Sequence, residues 1–151
     1  MKKITAGLIV IGVAAFLVAA IFVPFRFLIP DARGDIESAK TVTSLELTRF
    51  ELVGRPANLR KWLTRQDGAP GQEVAMRFVG WGLTHQSDFA FILDGIAEPE
   101  RTETIDFLAS MINDRFAEDA FLSSFNNQNS SAINELRAKI LQNRNGDNRP
   151  R

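Results

Sequence analysis

Residues 4–25 read ITAGLIVIGVAAFLVAAIFVPF, a run of 22 positions without a charged side chain. As a helix rising 1.5 Å per residue, such a run reaches roughly 33 Å, about the thickness of a bilayer's hydrocarbon core. Lys2 and Lys3 precede it, and Phe25, Arg26 and Phe27 follow it with the amphipathic chemistry of an interfacial anchor. A short basic head before an apolar run directs the N-terminus to the cytoplasm and the rest of the chain across the membrane. The sequence therefore predicts a single-pass, retained anchor over residues 1–30.

The competing reading is a cleavable signal peptide cut after Val18-Ala19-Ala20. It would leave an exported, soluble periplasmic binding protein without residues 1–20. Against it, the apolar run continues past that cut as Ile21-Phe22-Val23-Pro24-Phe25, and the mature chain would start on an uncovered greasy tail. Gly12, Ala15 and Ala19 fall at i, i+3 and i+7 on one face of the span. Small residues so placed let another membrane helix approach closely, which marks these three as candidate partner-binding positions. The partners implied are the lipid bilayer and other membrane protein subunits.

Outward from the anchor, the remaining 121 residues carry 15 basic and 18 acidic side chains. That mildly acidic balance is unlike a phosphate-binding surface, which needs clustered Lys and Arg, so no nucleic-acid partner is expected. The chain has no cysteine, no tyrosine and one histidine, His85. Thiolate catalysis, disulfides and cysteine-based zinc sites are thereby excluded. No cofactor is expected.

Residues 31–142 read as a helical extracytoplasmic domain. Asp35 is placed to cap a helix from Ile36. The stretch TVTSLELTRFELV (41–53) has strand-like Thr and Val content, but Val42, Leu47, Phe50 and Val53 fit one helical face, and Gly54-Arg55-Pro56 ends it. Pro56 suits a first helical position before Leu59, Trp62 and Leu63, with Arg60 on the solvent side. DGAPGQ (67–72) reads as a loop. Val74, Phe78, Trp81 and His85 then form a helical stripe, with Gly80 and Gly82 weakening it.

Ser87 or Asp88 is expected to cap a helix bearing Phe89, Ile92 and Leu93, closed by Gly95. After Glu98-Pro99, the residues Ile105, Leu108, Ala109, Ile112 and Phe116 share a face. Ala120, Phe121, Leu122 and Phe125 continue that helix or begin another. Ser131 is a candidate cap for the last stripe, Ile133, Leu136 and Ile140. Residues 143–151, NRNGDNRPR, read as a flexible polar tail. No repeat of solenoid period is visible in the letters, and no a/d pattern persists long enough for a coiled coil. The expected fold is all-α: one transmembrane helix, then a small bundle of four to six short helices.

Candidate chemistry is thin. His85 lies beside Ser87 and Asp88, the residue types of a hydrolase triad, but three groups within four positions seldom converge as a triad must. A helix-end role for His85 is the better reading. The acids at 98, 100, 103 and 106 lack the alternating ligands and central glycine of a calcium loop. Trp81, between two glycines, is either core or a ring offered to a partner, and it is the remaining candidate partner-binding residue. The function expected is non-enzymatic: a membrane-anchored accessory or assembly subunit that binds a membrane-complex partner.

Overall fold

The computed structural model describes residues 35–64, 68–126 and 129–146. The expected membrane span, its alternative cleavage site and Gly12, Ala15 and Ala19 lie outside these residues. The described residues are all-helical, with seven helices and no strand: α1 (Ile36–Val53), α2 (Ala57–Leu63), α3 (Gly68–Gly82), α4 (Gln86–Asp94), α5 (Glu100–Met111), α6 (Arg115–Ser124) and α7 (Ser131–Gly146). None of these is long and apolar enough to cross a membrane.

The helix count exceeds the expected four to six because α5 and α6 are separate. Ile112 leaves the helical region at φ −87°, ψ 69°, and Asp114 is extended at φ −99°, ψ 136°. Phe116 therefore opens a new helix instead of continuing the buried face of α5, and it is 83% exposed.

α1 starts where the sequence places it. The Asp35 carboxylate accepts the backbone N–H groups of Glu37 and Ser38, both at 3.2 Å. The Ser38 hydroxyl and these two N–H groups hold the Asp35 carboxyl below its usual range. The strand-like threonines are accommodated because their hydroxyls turn back onto the helix: Thr41 donates to Glu37 O at 2.9 Å and Thr43 to Ala39 O at 2.7 Å. Gly54, left-handed at φ 63°, closes the helix with its N–H on Phe50 O at 2.7 Å.

The glycine–proline stretch expected as a loop instead opens α3. Gly68 takes φ 61°, and Pro70, in the first turn, lacks only an N–H that the first turn leaves unpaired. Neither Ser87 nor Asp88 caps α4; the N-cap is His85. Ser130, not Ser131, caps α7, its hydroxyl accepting Ile133 N–H at 3.1 Å. Asp94, at the end of α4, accepts Ala132 N–H at 2.9 Å and satisfies a second orphan donor of α7 from across the chain. α7 runs through Gly146. Asn143 donates to Ala109 O at 3.5 Å, and Arg144 meets Asp119 at 2.9 Å and Glu118 at 3.7 Å. Residues 143–146 are thus helical and mostly exposed, while 147–151 lie outside the described residues.

The four odd-numbered helices pack on one another in chain order. Their starts are 32, 32 and 31 residues apart. Arg77 of α3 donates to Ser44 of α1 at 3.5 Å. Gly71, Val74 and Ala75 of α3 line one recess with Thr104, Phe107 and Leu108 of α5. Lys139 of α7 pairs with Asp106 of α5 at 2.8 Å. Arg77–Ser44 with Trp81–Glu51 set α1 and α3 side by side and parallel, and Lys139–Asp106 with Asn143–Ala109 do the same for α5 and α7. The shorter even helices return the chain between them.

The core lies between the two sets. Phe78, Phe89, Phe121, Phe125, Ile105, Leu108, Ile133, Leu136 and Ile140 are all at most 1% exposed. Phe89 stacks on Phe78 at 4.5 Å and lies 5.2 Å from Phe125, which stacks on Phe121 at 4.4 Å. Each such ring contributes on the order of 1.5–3 kcal/mol by leaving water.

Candidate functional site

Trp81, His85 and Glu51 meet where α1 and α3 end. Trp81 sits in the last turn of α3, and its indole N–H donates to Glu51 Oε1 at 2.7 Å. The His85 ring stacks on the indole at 4.5 Å and 6°. Phe78 stacks on it at 6.1 Å, and Phe50 meets it edge-on at 6.1 Å. Trp81 is half-buried and packs against the core. The indole is therefore held on several sides, with its one donor satisfied.

His85 is equally occupied. Its Nδ1 lies 3.0 Å from Trp81 O and 2.9 Å from the Thr84 hydroxyl, and its Nε2 lies 3.7 Å from Glu51 Oε1. The hydroxyl beside the ring belongs to threonine; Ser87 and Asp88 stand exposed in the first turn of α4. The arrangement can fix the α3–α4 turn and present a polar, aromatic-backed patch to a partner. Among the described residues, no group of three His, Asp or Glu is placed to hold a metal ion. Of the acids near 98–106, Glu98 bonds Thr102 and pairs with Arg101, and Asp106 pairs with Lys139.

The two glycines flanking Trp81 have opposite roles. A Cβ on Gly82 would come within 2.3 Å of the Phe89 ring, whereas one on Gly80 would meet nothing within 4 Å. Gly82→Ala is expected to cost about 1–3 kcal/mol by overpacking. Gly80→Ala is expected to gain about 0.5–1 kcal/mol through helix propensity. Urea titrations of both variants check the opposite signs.

Two polar devices carry no sequence signal. Arg60, expected on the solvent side, instead donates from Nε to Ile92 O at 2.8 Å and from Nη2 to Phe91 O at 2.7 Å, capping the carbonyl end of α4. Its guanidinium also lies 5.1 Å over the Phe91 ring, and Gly95 leaves room for it. Glu46 is buried in α1 at 6% exposure, with Arg49 at 3.5 Å. Burial raises its carboxyl above the ordinary range, with Arg49 opposing.

A raised carboxyl binds its proton more tightly in the folded state, so the ionised form weakens the fold above the folded-state pKa. Glu46→Gln is therefore expected to melt higher than the parent near neutral pH. The gap should close as the medium is made acid and Glu46 takes up its proton. Thermal melts at neutral and acid pH check this.

No family model, no curated protein and no solved structure matches the chain.

Proposed function

We propose that the chain is a non-enzymatic, single-pass membrane protein. Residues 1–30 anchor it with the N-terminus in the cytoplasm, and the helical domain stands on the extracytoplasmic side as an accessory or assembly subunit of a membrane complex. The observation that carries this reading is the uncharged run of 22 residues from Ile4 to Phe25. No other segment of the chain has its length and apolarity, and water offers such a segment nothing. A small all-helical domain suits the role, because helix faces can dock into grooves on a partner. Tethering adds to it by turning a weak encounter in bulk into a local one.

His85 supports the binding reading over the hydrolase one: its Nδ1 is held by Trp81 O and the Thr84 hydroxyl, and its Nε2 faces Glu51. The partner-facing positions proposed are Gly12, Ala15 and Ala19 on the anchor and the rim of the Trp81 patch. The test is mild crosslinking in native membranes, detergent extraction and mass spectrometry of what co-purifies. A membrane subunit recovered at fixed stoichiometry is expected. A chain that extracts alone, with no crosslinked neighbour of any kind, contradicts the role.

A further inference from the structure

We propose that the His85 imidazole and the Glu51 carboxylate form an open, two-ligand site for one divalent transition-metal ion of the zinc class. The proposal goes beyond the binding role above and does not depend on the anchor.

The tautomer of His85 follows from its neighbours. Nδ1 lies 3.0 Å from Trp81 O, which can only accept, so Nδ1 carries the proton of the neutral ring. The Thr84 hydroxyl donates its own proton to Trp81 O at 3.0 Å, so at 2.9 Å from Nδ1 it is a second acceptor. The lone pair of the ring is then on Nε2, and it faces Glu51 Oε1 across 3.7 Å. That gap is too long for a direct N–H···O hydrogen bond. Two electron-pair donors set face to face are the arrangement that a cation bridges. An ion bonded at about 2.0–2.1 Å to each atom fits beside the line joining them, with a ligand–metal–ligand angle of roughly 130°.

One residue holds both donors from behind. Trp81 O takes the Nδ1 proton of His85, and the Trp81 indole N–H donates to Glu51 Oε1 at 2.7 Å. In metal sites, hydrogen bonds to the far side of a ligand fix its tautomer and its orientation in this way. Stacking on the indole at 4.5 Å further restrains the His85 ring. The two side chains are 38% and 42% exposed, so an ion can enter from solvent and keep water on its remaining positions. Imidazole with carboxylate suits zinc, copper and nickel, whereas calcium and magnesium take oxygen ligands. With no third acid or histidine in place among the described residues, the site is exchangeable and weaker than a closed one.

The test is calorimetric titration of the detergent-solubilised full chain with Zn²⁺ at neutral pH. One ion per chain is expected. Glu51→Gln keeps an oxygen for the indole N–H, and His85→Phe keeps a ring against the indole, so each removes one ligand and spares the packing. Each should weaken Zn²⁺ binding at least about tenfold while circular dichroism stays unchanged. Glu103→Gln, at an exposed acid of α5, should leave binding as it is. His85 is the only histidine, so its ring-proton NMR signals report on the unsubstituted chain, and they should move as Zn²⁺ is added. No saturable binding up to millimolar Zn²⁺, or His85 signals that stay in place at saturation, overturns the site. Binding unchanged in both variants also overturns it and marks an adventitious ion only. Loss in His85→Phe but not in Glu51→Gln overturns it as well, since Glu51 is then no ligand.

Discussion

Phe89→Ala is expected to remove about 3–5 kcal/mol of folding stability. A domain of this size has about 5–15 kcal/mol in total, so the variant should be largely or wholly unfolded at physiological temperature. Phe89 is fully buried and carries the α3–α4 corner. Its ring stacks on Phe78, meets Phe121 and Phe125, and fills the space that Gly82 leaves open. Alanine would leave a cavity walled by rings from α3 and α6, which cannot all move inward together. Phe91, two residues on, is the internal control. It is 54% exposed and touches Arg60 across its face. Phe91→Ala should cost no more than about 1 kcal/mol, the scale of an exposed cation–π contact. Urea denaturation of the two variants, followed by circular dichroism, compares them directly.

The second large effect concerns location. Ala14→Lys combined with Leu17→Lys is expected to release the chain from membranes. Each lysine near the centre of a spanning helix costs about 2.5–3.5 kcal/mol of insertion free energy, so the pair opposes insertion by several kcal/mol. A lysine on the helical domain, such as Ser110→Lys on the exposed side of α5, should leave partitioning unchanged. Fractionation of cells expressing each variant reads the difference.

Much of the core was legible because apolar periodicity is local. Phe89, Ile92 and Leu93, and likewise Ile133, Leu136 and Ile140, lie on the faces their spacing gives, and all are buried. The Asp35 cap and the helical state of 41–53 also follow from neighbours within four residues. The pairing of the odd-numbered helices was not legible, because its contacts join unlike residues 33 apart: Ser44 with Arg77 and Asp106 with Lys139. Many side-chain pairs can satisfy the packing of one helix on another.

The same limit applies to the site. Trp81 was singled out from its flanking glycines, but Glu51, which satisfies its indole, is 30 residues away. Arg60 and Asp94 act on partners 31 to 38 residues distant, and no local pattern announces such bonds. Gly68–Pro70 misled for a different reason. Glycine and proline break a helix interior, yet both are compatible with its first turn.

The most direct test of the account is the mass and N-terminal sequence of the chain recovered from alkaline carbonate-washed membranes. The account predicts chain in the pellet, with residues 1–20 still attached and a mass near 16.8 kDa. A chain found in the supernatant and starting at Ile21 would contradict it.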